Sequence, residues 1–327
     1  TNRSSDLVKQ LLAIARRQTV SPRLIDFNEA IEQTLQMLNR LISEDITIHW
    51  APKKDVWLVW IDPTQVDQLL INLCVNARDA INGVGNIELE TAKVTIDENY
   101  CRVNPEGKPG KYLMLAVSDD GCGMDKETIA HVFEPFYTTK AVGEGTGMGL
   151  ATVYGIVKQN GGFINVYSEP GSGTTCRVYL PLSIGEAEES PSMEAAEEIN
   201  GDGETILVVE DDTFILKMFN EMLGKLGYRV LTADSPRRAL ELFSHHCAEI
   251  DLLISDVVMP EMNGRELAQQ LSAEKPDLKC LYTSGYTSNV IAHHGVLDRD
   301  VFFLQKPFSF QDLGSKVRQT LLQPANK

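Results

Sequence analysis

The 327-residue sequence predicts a multidomain α/β protein, an α+β two-layer sandwich followed by a doubly wound parallel sheet. Three observations predict it. The length suits two cores at about 150 residues each. Residues 184–203 (IGEAEESPSMEAAEEINGDG) carry seven acidic groups and no basic one, with no apolar period, which is the composition of a solvated, self-repelling linker. On either side of it the texture differs: helices and strands come in blocks before it and alternate in short units after it.

Residues 3–18 place Leu7, Leu11 and Ile14 beside Val8, Leu12 and Ala15, a broad apolar stripe at helical spacing that needs a partner. Ser21-Pro22 breaks this helix, and Asp26 caps a second one running to about Ile42. Alternation at Ile46/Ile48 and Val56/Leu58/Trp60 reads as strands, Pro63 starts a helix through about Ile81, and 86–96 and 111–119 alternate again. A helix near 149–160 precedes a closing hairpin, 163–168 and 174–181, turned at Pro170-Gly171-Ser172-Gly173. From Glu204 the apolar runs ILVV, LLIS, CLYT and VFFL alternate with amphipathic stretches, five strand-helix units whose functional residues belong at the carboxyl ends of the strands. The expected divisions are 1–24, 25–183, the linker 184–203, and 204–327.

Charge narrows the function. The net charge is −16, divided as −5 over 1–183, −7 over the linker and −4 beyond it, so neither domain offers a basic surface for nucleic acid or anionic membrane. The six cysteines form no CxxC pair, and neither zinc nor a disulfide framework is indicated; a reducing cytoplasm fits. No apolar run is long enough to span a membrane, and any membrane attachment belongs to segments outside this sequence. A chain beginning at Thr1 is expected to be a piece of something longer. His245-His246 and His293-His294 lack acids at ligand spacing and read as surface helix ends rather than metal sites.

Four segments carry chemistry in the first block. GEGTGMG (143–149) satisfies neither the Rossmann nor the Walker A spacing, yet a glycine loop running into a helix start can hold phosphate; alone it is equally a structural turn. QLLINLCVNARDAI (68–81) sets Asn72, Asn76 and Asp79 on one helix face, VSDDGCGMD (117–125) ends a strand in acids and glycines, and VFEPFYTTK (132–140) follows. In this order the segments resemble the N, G1, F and G2 boxes of the Bergerat-fold ATP-binding domain of sensor histidine kinases, in the GHKL superfamily. The resemblance implies that Asn76 ligates Mg²⁺ with Asn72 nearby on the phosphate side. It also implies that Asp119 accepts the adenine amino hydrogen, and that Gly121 and Gly123 admit the base. Gly145, Gly147 and Gly149 would wrap the triphosphate, Lys140 would reach the γ-phosphate, and Thr174 would lie near the adenine. The chemistry agrees: a neutral amide oxygen suits a hard cation, and a carboxylate selects the adenine amine over the guanine carbonyl. Asp120 reads as a solvated turn residue and Asp79 as a cap or ion-pair partner.

In the second block ILVVEDD (206–212), LLISDVVMPEMNG (252–264), LYTSG (281–285) and FLQKPF (303–308) bring Glu210, Asp211, Asp256, Ser284 and Lys306 to one rim. Crowded carboxylates need a cation. Asp212 alone reads as a helix cap. The block is similar to the flavodoxin-like (βα)5 receiver domain of response regulators, which implies that Asp256 is the phosphorylated nucleophile. Glu210, Asp211 and Asp256, with a carbonyl near Val258, would then bind Mg²⁺, Ser284 and Lys306 would bond the phosphoryl oxygens, and Phe303 would be a switch aromatic.

Together the two resemblances imply the ATP-binding and receiver portion of a bacterial hybrid histidine kinase, a phosphotransferase of two-component phosphorelays that uses ATP and Mg²⁺. Its implied partners are a histidine-phosphotransfer helix or domain, a second copy of the full-length chain, and a downstream phosphotransfer or response-regulator protein; nucleic acid is not among them. In that family a two-helix hairpin bearing the acceptor histidine precedes the ATP domain. Residues 3–18 look like its second helix only. None of His49, His131, His245, His246, His293 and His294 adjoins an acid in an HD or HE pair, so this chain alone is not expected to autophosphorylate. Two alternatives remain open: a binding-only pseudo-kinase with a phosphate-gated receiver, and a GHKL ATPase of non-kinase type.

Overall fold

The computed structural model describes residues 21–43, 45–53, 58–104, 106–140, 145–182, 201–285, 301–306, 308 and 310–322. The stripe at 3–18, most of the acidic linker, Gly143, Val56 and His293-His294 lie outside the described residues. The elements of the first domain are β1 (Arg23–Asp26), α1 (Phe27–Leu41), β2 (Ile46–Pro52), β3 (Leu58–Ile61), α2 (Pro63–Ala80), β4 (Gly85–Ile96), α3 (Glu98–Val103), β5 (Gly110–Asp119), α4 (Lys126–His131), α5 (Gly149–Gln159), β6 (Phe163–Ser168) and β7 (Thr174–Pro181).

Capping explains where the two long helices begin. Asp26 accepts from the amides of Asn28 and Glu29 at 2.9 and 3.1 Å, as expected. Asp62 accepts from Thr64 N–H at 2.9 Å, with Pro63 at the first helical position, where its missing N–H costs nothing. Five strands form a mixed sheet in the order β2-β4-β5-β7-β6, parallel only between β2 and β4. Its helix-facing side buries Ile87 and Leu89 of β4, Leu113, Leu115 and Val117 of β5, and Val178 and Leu180 of β7 against Leu69, Leu70, Leu73, Val153 and Val157 of α2 and α5. This is the expected two-layer sandwich.

One strand escaped the sequence reading. β1 pairs antiparallel with β3, Leu24 opposite Trp60, and runs across the expected boundary at residue 25. Four residues on a two-stranded sheet are too few to show a period.

The second domain comprises β8 (Thr205–Val209), α6 (Thr213–Lys225), β9 (Arg229–Ala233), α7 (Pro236–His246), β10 (Ile250–Asp256), α8 (Gly264–Glu274), β11 (Lys279–Ser284), β12 (Phe303–Gln305) and α9 (Phe310–Leu322). All pairings are parallel in the order β12-β11-β10-β8-β9, with apolar cores on both faces of the sheet. Order reverses between β8 and β10, which makes the carboxyl ends of those strands the natural crevice.

Candidate nucleotide and phosphoacceptor sites

Strand alternation explains why Asp119 is buried. It continues the row Leu113, Leu115, Val117 on the helix-facing side, so its carboxylate enters the space between sheet and helices and is only 6% exposed. Its Oδ1 accepts from Gly121 N–H at 2.9 Å, and burial pushes its carboxyl up to about 7 against that hydrogen bond. Thr174 is its register partner on β7 and is also buried.

The turn after Asp119 leaves no room for a side chain at its two glycines. Gly123 has φ +67°, and a Cβ there would lie 1.8 Å from the Glu169 carbonyl oxygen. Ser168 supports the same turn, accepting from Met124 N–H at 2.8 Å and donating to the Gly173 carbonyl at 2.9 Å. Gly121 presses on Ala80 at the end of α2, where a Cβ would meet the carbonyl at 2.7 Å. The expectation for Asp120 needs correcting. Rather than standing in solvent, it accepts from Asn86 N–H at 2.8 Å and from Asn86 Nδ2 at 2.9 Å, tying the turn to β4. Two adjacent acids in the sequence give no sign of the partner each will find.

On α2 the helical spacing brings Asn72, Asn76 and Asp79 to one side, where α5 begins. A Cβ on Gly149 would lie 3.1 Å from Asn76 Nδ2 and 3.6 Å from Asn72 Oδ1, so both amides stand against the first residue of α5. That helix starts at Met148 with no side-chain cap, which leaves its first amides for another acceptor. Gly147, at φ +62°, packs on the backbone of Phe136, and Phe136 N–H donates to the Gly147 carbonyl at 2.9 Å. Gly145 lies over Lys140, 3.2 Å from its Cδ by the same measure. Lys140 Nζ donates to Asp79 Oδ2 at 2.6 Å, and Asp79 also takes Arg78, so Asp79 is an ion-pair partner as expected.

In the second domain the carboxyl ends of four strands converge. Oxygens of Glu210, Asp211 and Asp256 lie within 4.8 Å of one another. Lys306 Nζ donates to Glu210 Oε2 at 2.6 Å and to Asp256 Oδ2 at 2.7 Å. Burial alone would lower the lysine, but Asp256 and then Glu210 hold it above its usual range, while burial pushes Glu210 upward against the pull of Lys306. Val258 N–H approaches Asp256 Oδ1 at 3.4 Å. Ser284 is buried at the end of β11, one residue past Thr283, the register partner of Asp256. Phe303 opens β12 half-buried against an apolar cluster. Gly264 lets α8 abut Asp256, since a Cβ there would lie 2.1 Å from the Asp256 carbonyl oxygen. Asp212 stands apart from the acid cluster, accepting from Ile215 N–H at 3.2 Å like the cap it was expected to be.

Comparison with known proteins follows this division. Residues 61–184 match the family of histidine kinase-, DNA gyrase B- and HSP90-like ATPases, and residues 206–318 match the response regulator receiver domain. The chain is 39% identical over 331 residues to the sensor kinase CckA of Brucella abortus (strain 2308), covering 98% of this chain and 35% of that protein. It is 32% identical over 184 residues to the sensor histidine kinase ZraS of Escherichia coli (strain K12), covering 56% of this chain and 36% of that one. A crystal structure of full-length ShkA in complex with AMPPNP aligns over 94% of this chain and 58% of its own, at 19% identity and a TM-score of 0.42. The chain thus spans about a third of the length of these curated relatives, whose names support neither of the two alternatives weighed above. No helix among the described residues is long and apolar enough to cross a membrane. An ATPase domain of the kinase, gyrase and HSP90 family followed by a response regulator receiver is the domain pair of a hybrid sensor histidine kinase, and that is the family to which this chain belongs.

Proposed function

We infer that residues 25–183 bind ATP with Mg²⁺ and deliver its γ-phosphoryl group to a histidine outside this sequence, and that residues 204–327 then accept that group on Asp256. The observation that carries the reading is the pairing of two sites in one chain: two asparagines against an uncapped helix start, and three converging carboxylates, two of them bonded to a buried lysine.

Each residue has a stated task. Asp119, as a carboxylate, accepts from the adenine amine while Gly121 and Gly123 admit the ring. Asn72 and Asn76, with the first amides of α5, take the phosphate side, and Lys140 takes the terminal phosphate. In transfer the bond from the γ-phosphorus to the bridging oxygen breaks, a bond to an imidazole nitrogen forms, and ADP leaves. In the second transfer that P–N bond breaks as an Asp256 carboxylate oxygen attacks. Glu210, Asp211 and Asp256 fit a divalent cation, because their oxygens converge and a single lysine leaves one negative charge or more uncompensated. Bound there, Mg²⁺ supplies neutralisation of the phosphoryl oxygens. Lys306 offsets the charge that develops on the transferred group, and Ser284 donates to one of its oxygens.

The partners that follow are a histidine-bearing helical hairpin, a second copy of the full-length protein, and a downstream phosphotransfer or response-regulator protein. The compartment that fits is the cytoplasm, where ATP is available and the six cysteines, free in the structure, stay reduced. Calorimetric titration with ATP and Mg²⁺ tests the first site, with binding expected for the wild type and lost in Asp119→Ala. Undiminished binding in that variant would refute the placement of adenine at Asp119.

A further inference from the structure

Lys140 and Asp79 lie sixty-one positions apart, yet their charged groups meet at 2.6 Å. Helical spacing puts Asp79 three residues past Asn76, on the side of α2 that faces the start of α5. Lys140 closes the segment before the glycine loop, and its stem lies close to Gly145. Both side chains are about one-third exposed or less, and partial burial strengthens their attraction relative to a pair in open solvent. Although burial pushes Asp79 upward, Lys140 and then Arg78 hold its carboxyl below the usual range, so it is charged at neutral pH. Arg78 bonds Oδ1 through Nε and Nη2 at 2.9 and 2.7 Å, which leaves Oδ2 to Lys140.

We propose that Asp79 is a positioning residue that competes with the terminal phosphate of the nucleotide for the Lys140 ammonium, and so sets how strongly the site prefers a triphosphate over a diphosphate. This rests on the reading of residues 25–183 as an ATP site with Lys140 on the γ-phosphate. On that reading a β-phosphate stops short of Lys140, so ADP would leave the Lys140–Asp79 pair intact, whereas the terminal phosphate of a triphosphate would draw Lys140 away from Asp79. The exchange of one anionic partner for another is not free. Its cost is charged to the triphosphate alone.

The experiment is calorimetric titration of the full chain with AMPPNP and with ADP, each with Mg²⁺, for the wild type, Asp79→Asn, Asp79→Ser, Lys140→Met and the Lys140→Met/Asp79→Asn double variant. Both Asp79 variants should bind AMPPNP about three- to fivefold more tightly, the worth of a partly exposed ion pair, with ADP affinity changed less than twofold. In the Lys140→Met background, Asp79→Asn should have no effect on either nucleotide. Weaker AMPPNP binding in the Asp79 variants, equal tightening for both nucleotides, or an effect that persists without Lys140 would overturn the proposal. A Lys140→Met variant that keeps the wild-type preference for AMPPNP would remove Lys140 from the γ-phosphate. Weaker binding of both nucleotides with Mg²⁺ in Asn76→Ala separates that outcome from failure of the nucleotide site as a whole.

Discussion

Lys306 reaches Asp256 at 2.7 Å across fifty positions of sequence, and the same ammonium holds Glu210 at 2.6 Å. One buried lysine thus bridges two carboxylates. Replacing it with Met should leave those carboxylates facing each other and cost about 3–5 kcal/mol of stability near neutral pH. Added Mg²⁺ should restore part of the loss by taking the place of the missing charge, and acidification should do the same by protonating the carboxyls. Urea denaturation of Lys306→Met with and without Mg²⁺ checks this; a variant as stable as wild type, or one indifferent to Mg²⁺, would contradict the cation reading.

Asn76 is expected to act through its amide oxygen. Asn76→Ala should weaken binding of ATP with Mg²⁺ on the order of tenfold, the loss of one ligand to the cation that bridges the phosphates. In excess chelator the wild type and the variant should bind ATP alike. Equal affinities in Mg²⁺ would place the metal elsewhere.

Asp119 couples binding to pH. Burial raises its carboxyl to about 7, so the folded domain holds a proton that the unfolded chain has already released above about pH 4. Domain stability therefore falls as pH rises from about 4 through 7, and Asp119→Asn should be more stable than wild type at pH 8 by on the order of 2 kcal/mol, with the difference shrinking toward pH 5. ATP affinity should move the other way, falling as pH drops below 7 and the acceptor is protonated. Thermal denaturation and titration at pH 5.5 and 8 measure both; a Tm difference that does not vary with pH would show that desolvation of Asp119 is not the cause.

Most of this architecture was legible in the sequence because its signals are periodic or sit at element ends. Alternation over 111–119 placed Asp119 at a strand terminus, and the runs ILVV, LLIS, CLYT and VFFL placed the receiver acids at one rim. What escaped depends on contacts between distant segments. β1 is defined only by its pairing with β3, the tie of Asp120 to β4 only by Asn86, and the support of the G1 turn only by Ser168. Asp79 could be read as an ion-pair partner, but its partner sixty-one residues on could not, since no local spacing links an N-box helix to the end of the F-box segment.

Beryllofluoride, which mimics a phosphoryl group, should bind at Asp256 in the presence of Mg²⁺ and shift the amide resonances of Ser284 and Phe303. A phosphoryl adds about −1.5 to −2 charge, which draws the Ser284 hydroxyl inward and leaves room for Phe303 to change rotamer. Asp256→Asn should show no such shifts. Equal shifts in that variant would move the acceptor to another acid.

The most direct test of the account is a phosphotransfer assay with γ-³²P-labelled ATP, Mg²⁺, this chain, and a separately expressed helical hairpin bearing the acceptor histidine of the full-length protein. The chain alone should take no label on any of its six histidines. With the hairpin added, label should appear there in an acid-labile, base-stable form and then on the chain as an acyl phosphate at Asp256, and with Asp256→Asn it should stay on the hairpin. Label on His49 or His131 in the chain alone, an acyl phosphate at Asp211 or Asp251, or no transfer from ATP to the hairpin would contradict it.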